Sequence, residues 1–230
     1  MIKKIIFTTL MVIVTAVGAF AGDVFFPTKK GTVLVMALSD AKGKVESYGR
    51  TTVKDVKGAG DNLTIVCQTE ALDKKRQPEK NSAPIEYTMQ IIDGAVVADI
   101  NSILKLPIAA GEGITISGDT LRIPAKIKPG DKFKDAKMAI TMDLGAMKMT
   151  TEVAVTNFKC LAVESVTVPA GTFEAYKITQ TVSSTNKMVN ITQTMTVVSW
   201  NVLGVGPVKS VITDEKGKVQ TTTELHEIIK

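Results

Sequence analysis

Val166-Thr167-Val168-Pro169-Ala170-Gly171-Thr172-Phe173-Glu174-Ala175-Tyr176-Lys177-Ile178 decides the fold, because it reads either as a glycine-containing catalytic loop or as one strand turning back into the next. Its flanks choose between the two. Leu161 to Val168 leads in, and Phe173 to Val182 leads out, both with the alternation of a strand. A phosphate-cradling loop needs several glycines followed by a helix, and here a strand follows. Pro169 suits the second position of a type I turn and Ala170 the third, while Gly171 can take the left-handed conformation of a three-residue hairpin with a bulge. Pro169 and Gly171 are therefore structural turn residues.

The same period of two recurs on both sides of this hairpin. Leu63, Ile65 and Cys67 alternate with Thr64, Val66 and Gln68; Met138, Ile140 and Met142 alternate with Ala139, Thr141 and Asp143; Met195 and Val197 alternate with Thr194 and Thr196. Thr and Val dominate beyond residue 30, and β-branched residues favour pleated backbone. One face is apolar and the other largely threonine or charge, as in an antiparallel sheet with one solvated side. Turn signals such as Asp40-Ala41-Lys42-Gly43, Lys128-Pro129-Gly130-Asp131 and Asp214-Glu215-Lys216-Gly217 separate the runs. The reading is all-β: one strongly curved antiparallel sheet, half-barrel or barrel-like, with about a dozen strands in meander order. At most one short helix is expected, around Asp99 to Leu106, stopped by Pro107. Polar linkers are read at Asp73 to Ala83 and Ile108 to Gly113. The octapeptides Leu38–Val45 and Ile212–Val219 share the pattern D-x-K-G-K, which two hairpins needing the same turn reach by convergence.

The N-terminus points to export. Lys3 and Lys4 precede the uncharged apolar run Ile5 to Val17, and Ala19-Phe20-Ala21 is an A-x-A cleavage signal. Residues 1–21 are read as a signal peptide and 22–230 as one domain, periplasmic or secreted. The apolar run is shorter than the roughly 20 residues needed to cross a bilayer, so the mature chain is not expected to be an integral membrane protein. The formal net charge of +5 includes Lys3 and Lys4, so the mature chain carries +3, too mild to imply nucleic acid.

Catalytic chemistry finds little footing. His226 is the single histidine, so a histidine-based triad would have to be built at the chain terminus. Cys67 and Cys160 have no partner histidine at zinc-site spacing. No catalytic residue, metal or cofactor is predicted. In an oxidising compartment Cys67 and Cys160 form a candidate disulfide, with two buried thiols as the alternative.

Several blocks together are similar to a family of secreted bacterial proteins known only as a domain of unknown function. They are Val166 to Phe173 with Tyr176-Lys177-Ile178, an upstream Ile127-Lys128-Pro129-Gly130-Asp131-Lys132-Phe133, and Trp200 followed by Gly204-Val205-Gly206-Pro207-Val208-Lys209-Ser210. Asn201 stands where an aromatic often follows the tryptophan. The resemblance implies an exported antiparallel barrel-like fold and brings no catalytic residues.

Met138, Met142, Met147 and Met149 bracket Gly145 and could line facing strands of one hairpin; flexible, polarisable thioethers suit a groove for varied apolar ligands. With Tyr176 and Trp200 they form the candidate ligand-binding set, for an apolar small molecule or lipid. The other expectation is a structural or interaction protein of the cell envelope, its partner another envelope protein.

Overall fold

A computed structural model describes residues 24–80, 82–98, 113–124, 126–143 and 147–229. They form thirteen strands of one antiparallel sheet. The first five are β1 (Val33–Asp40), β2 (Val45–Ala59), β3 (Asn62–Leu72), β4 (Ile85–Ile92) and β5 (Ala95–Ala98). Two short strands follow, β6 (Gly113–Gly118) and β7 (Arg122–Pro124). The remainder are β8 (Ala136–Asp143), β9 (Lys148–Val168), β10 (Gly171–Asn186), β11 (Ile191–Val202), β12 (Gly206–Asp214) and β13 (Val219–Ile229). The expected helix over Asp99 to Leu106 and most of the linker Ile108 to Gly113 lie outside the described residues.

The order across the sheet is β6-β8-β9-β10-β11-β12-β13-β1-β2-β3-β4-β5-β7. Two meanders, β1 to β5 and β8 to β13, are joined because the first strand pairs with the last: Val33 lies opposite Ile229 and Leu38 opposite Thr223. An up-and-down barrel closes in this way. Here the opening falls in the middle of the chain, between the edge strands β6 and β7. Those edges are joined covalently through Asp119–Leu121, four Cα steps that span at most about 15 Å. The sheet must therefore roll until its two edges nearly meet. Asp119 pins the crossing on β8, accepting Lys137 N at 3.0 Å through Oδ2 and donating its own N–H to Lys137 O at 2.7 Å. Leu121 then buries its side chain in the core.

The threonine-rich faces pair across strands. Thr51 with Thr69, Thr141 with Thr150 and Thr185 with Thr192 are direct partners whose hydroxyls share hydrogen bonds of 2.9 to 3.1 Å. Such pairs stabilise a sheet by roughly 0.2–1 kcal/mol each.

Turn chemistry repeats as the D-x-K-G-K pattern requires. Asp40 Oδ1 accepts Lys42 N and Lys44 N, Asp214 Oδ1 accepts Lys216 N and Lys218 N, and Gly43 and Gly217 take φ of 77° and 76°. The stretch read as a polar linker holds a third copy: Asp73 Oδ1 accepts Lys75 N and Gln77 N, with Arg76 in the glycine place at φ 60°. At the opening hairpin Gly171 takes φ 139°. Val168 pairs directly with Gly171, so the loop is the two residues Pro169 and Ala170, one shorter than expected. Ala170 N donates to Leu225 O at 3.1 Å, fastening this tip to β13.

The block Ile127 to Phe133 serves packing. Gly130 N donates to Cys160 O, Phe133 N donates to Phe158 O, and the Phe133 and Phe158 rings meet with centroids 4.6 Å apart. The large core draws Val53, Ile65 and Ile91 from the first meander, Ile123 from β7, and Val155 and Ile178 from the second meander. Val24, Phe25 and Phe26 lie among them although they belong to no strand, and are 0%, 1% and 5% exposed. The N-terminal segment thus fills the interior of the rolled sheet. A smaller cluster joins Leu34, Val168, Val208 and Leu225 with Phe173 and Trp200 packed against it.

Candidate functional site

Strands β10, β11 and β12 carry different chemistry on their two faces, and the pairing register shows which residues belong to which. Direct cross-strand partners share a face. On one face Tyr176 lies opposite Asn201, Ile178 opposite Ser199, and Ser199 opposite Ser210. This face is the interior, since Tyr176 meets the Phe25 ring edge-to-face at 4.8 Å and 79°. The N-terminal segment is further held by Gly204, whose N–H donates to Val24 O. Gly206 lies hard against it: a Cβ there would stand 2.8 Å from Phe25 O, and its φ is 100°. Gly206 answers to this close approach, whereas Gly204, at φ 73° with nothing within 4 Å of its Cβ position, serves the turn.

The interior carries polar atoms that its apolar walls do not satisfy. Asn201 and Ser210 are 0% and 1% exposed. Asn201 Nδ2 donates to Ser199 Oγ at 2.9 Å. Asn201 Oδ1 and Ser210 Oγ have no hydrogen-bond partner among the described residues, and each such group costs about 1–3 kcal/mol of desolvation. Both lie on the face that carries Tyr176, whose ring meets Phe25.

The opposite face holds a row of direct partners, Lys177, Trp200, Lys209, Glu224, Ala37 and Tyr48, on six adjacent strands. Lys177 Nζ and Lys209 Nζ stand 5.1 and 5.9 Å from the Trp200 ring centre, within the range of cation–π attraction. Glu164 Oε1 accepts Trp200 Nε1 at 2.7 Å and Lys177 Nζ at 3.1 Å. The Trp200 and Lys177 hydrogen bonds, in that order, hold the Glu164 carboxyl below its ordinary value of 4.5. Lys209 pairs with Glu224 at 2.8 Å. Where the row ends, His226 meets the Tyr48 ring at 5.3 Å and hydrogen-bonds Arg76, which also lies 3.6 Å from Glu227. The lone histidine thus sits in a surface cluster.

The sequence-predicted ligand set is divided by this geometry. Tyr176 faces the interior and Trp200 the opposite side. Met138 is buried in the core. Met142 and Met149 are direct partners, both half-buried, and Met142 shares the face of Met138 through strand alternation. Met147 is 48% exposed, and Gly145, which the four methionines bracket, lies outside the described residues. Cys67 and Cys160 are separate free thiols, both buried. Burial pushes the Cys67 thiol up to about 12, and burial followed by the nearby Asp131 charge raises that of Cys160. Among the described residues no cluster of three or more histidine, cysteine or acidic side chains could hold a metal ion. No helix there is long and apolar enough to cross a membrane.

Sequence reasoning missed Ser199, Asn201 and Ser210, and the role of Val24 to Phe26. The signal was available in part. Met195 and Val197 set an inward alternation that Ser199 and Asn201 continue with polar side chains, a break in patterning at core positions. Val24-Phe25-Phe26-Pro27 is an apolar run that joins no alternation.

No curated protein matches the chain. Two solved structures share its fold. One is a presumed exported protein with a YmcC-like fold from Bacteroides fragilis, at TM-score 0.69 and 19% identity, covering 92% of this chain and all of that one. The other is a presumed lipoprotein from Parabacteroides distasonis, at TM-score 0.70 and 21% identity, covering 89% of this chain and 98% of that one. A model of the DUF3108-like family, whose function is unknown, matches residues 29–225, and the chain belongs to that family.

Proposed function

We propose that the protein works outside the cytoplasm, in the periplasm or secreted, as a non-enzymatic binding module for an apolar, lipid-like ligand held inside the rolled sheet. Export is supported by the leader pattern of residues 1–21 and by the presumed export of the protein from Bacteroides fragilis. One observation carries the binding reading. The interior seats an apolar segment, Val24 to Phe26, that belongs to no strand, and the sheet face whose Tyr176 meets Phe25 carries buried polar atoms without partners. Native cores leave few buried polar atoms without partners, and a ligand bearing a polar head group would account for these. The test is to purify the mature protein from its native envelope, extract it with organic solvent and identify what co-purifies. A protein that is consistently empty and also fails to bind fluorescent fatty acids rules the reading out.

A second reading, an interaction component of the envelope, draws on a different place. Met188, Val189 and Ile191 at the β10–β11 turn are 52%, 55% and 56% exposed. That turn is fixed beside β9, where Lys187 N donates to Thr150 O at 3.0 Å. Crosslinking in intact cells from position 189 tests it: a recurrent partner supports the reading, and the absence of one removes it.

A further inference from the structure

We infer that Val24 to Pro27 is an exchangeable plug, so that the segment and the ligand occupy the interior in turn. The inference rests on the binding reading above and specifies its regulation and ligand class. Three observations support exchange. The segment forms no β-ladder, and the hydrogen bond from Gly204 to Val24 and the contact of Phe25 with Gly206 lie at the β11–β12 turn and not along a strand pair. Its four residues are buried, whereas the next four, Thr28 to Gly31, are exposed and lead into β1 through a turn in which Thr32 N donates to Lys29 O at 3.1 Å. Gly31 takes φ 88° with nothing near its Cβ position and anchors the tether to β2 by donating its N–H to Val53 O at 2.8 Å. A buried apolar segment on an exposed tether anchored to the sheet only from Gly31 onward can leave without unpairing the strands.

The polar atoms define what replaces it. Asn201 Oδ1 is an acceptor and Ser210 Oγ either a donor or an acceptor; both are buried, unpartnered and on the face that looks at the segment. A ligand that satisfies them has an apolar chain in the place of the Phe25 and Phe26 rings and a head group bearing a donor hydroxyl. The head is uncharged. A carboxylate offers Asn201 Oδ1 no donor, and among the described residues the inward positions of β10 to β12 carry no basic side chain to compensate a buried charge. The chemical class is a neutral amphiphile such as a monoacylglycerol or long-chain alcohol.

The experiment uses residues 22–230 with monooleoylglycerol as the probe and oleate as the charged comparison. Hydrogen exchange on the wild-type protein needs no variant. On saturation with monooleoylglycerol the amides of Val24 to Phe26 exchange at least about tenfold faster, while those of β10 to β12 slow. In the double variant Phe25→Ala, Phe26→Ala the Kd for monooleoylglycerol falls at least about tenfold, because less competing segment must be expelled. Ser210→Val raises the Kd, and oleate binds more weakly than the glyceride throughout. If the probe binds wild type while the segment becomes more protected, or if the double variant binds more weakly, the segment is part of the ligand's wall and the exchange model is wrong although the binding reading stands. If neither form binds either probe, both fall.

Discussion

Tyr176 and Lys177 are neighbours in sequence, as are Asn201 and Trp200, yet the two faces they serve treat polarity in opposite ways. On the outer row every charge has a partner within a strand or two: Glu164 takes both Trp200 and Lys177, and Glu224 takes Lys209. In the interior, Ser199 and Asn201 satisfy each other once and leave Asn201 Oδ1 unpaired, with Ser210 Oγ beside them. Half-exposed ion pairs of the outer kind contribute about 0–1 kcal/mol each, so that row is a self-sufficient surface that fixes Trp200. The interior polarity works against stability, and alanine or valine would pack there at lower cost. That cost is the one a ligand of the proposed kind would offset.

The largest expected effect tests whether the N-terminal segment completes the interior. Phe25→Ala removes a ring that is 1% exposed, and such truncations cost about 3–5 kcal/mol. Urea denaturation followed by Tyr176 and Trp200 emission measures it; a loss below about 1 kcal/mol would show that the interior does not depend on the segment, and the contrast between faces would lose its inner half. Gly206→Ala is next. It forces a side chain into φ 100° with Phe25 O 2.8 Å away, a strain of about 1–3 kcal/mol. The matched control is Gly43→Ala, also at positive φ but with nothing within 4 Å; if both cost the same, the close approach to the segment contributes nothing.

Ser210→Ala sharpens the comparison in the other direction. Removing a buried hydroxyl without a partner is neutral or stabilising by up to about 1 kcal/mol, measured by the same denaturation. A clear loss of stability would place a structural partner on Ser210 Oγ and remove it from the list of groups kept for a ligand.

These assignments differ in how far sequence could reach them. Alternation made the all-β sheet legible, because Thr185 and Thr192 or Met142 and Met149 have to share faces once the strands pair. Gly171 was legible for the same local reason: a turn after Pro169 needs a positive φ. The place of the barrel's opening was not, since β6 and β7 are consecutive in the chain but sit at opposite edges, a consequence of rolling. The separation of Tyr176 from Trp200 was hidden by register. The partner of Trp200 is Lys177 and that of Asn201 is Tyr176, and a one-residue difference in pairing decides the face. The segment Val24 to Phe26 carries no strand pattern, so its burial follows only from the cavity that distant strands build around it.

The smallest expected effect belongs to the outer row and depends on pH. Trp200 and then Lys177 stabilise the ionised Glu164 carboxyl, lowering its folded value from 4.5. A carboxyl with a lowered folded value binds its proton less readily than in the unfolded chain. Its contribution is therefore complete above the ordinary carboxylate range and disappears as pH falls through the lower folded value. Glu164→Gln lacks that contribution at every pH, so the difference in Tm between wild type and variant should stay constant above about pH 5 and shrink as the solution is acidified toward pH 3. Lys177→Met should reduce the plateau, and Trp200→Phe should reduce it further, matching the order of the two donors. If the difference instead widens in acid, the carboxyl is held protonated by its surroundings, the outer row is not self-satisfied, and the distinction drawn between the two faces fails from the outer side.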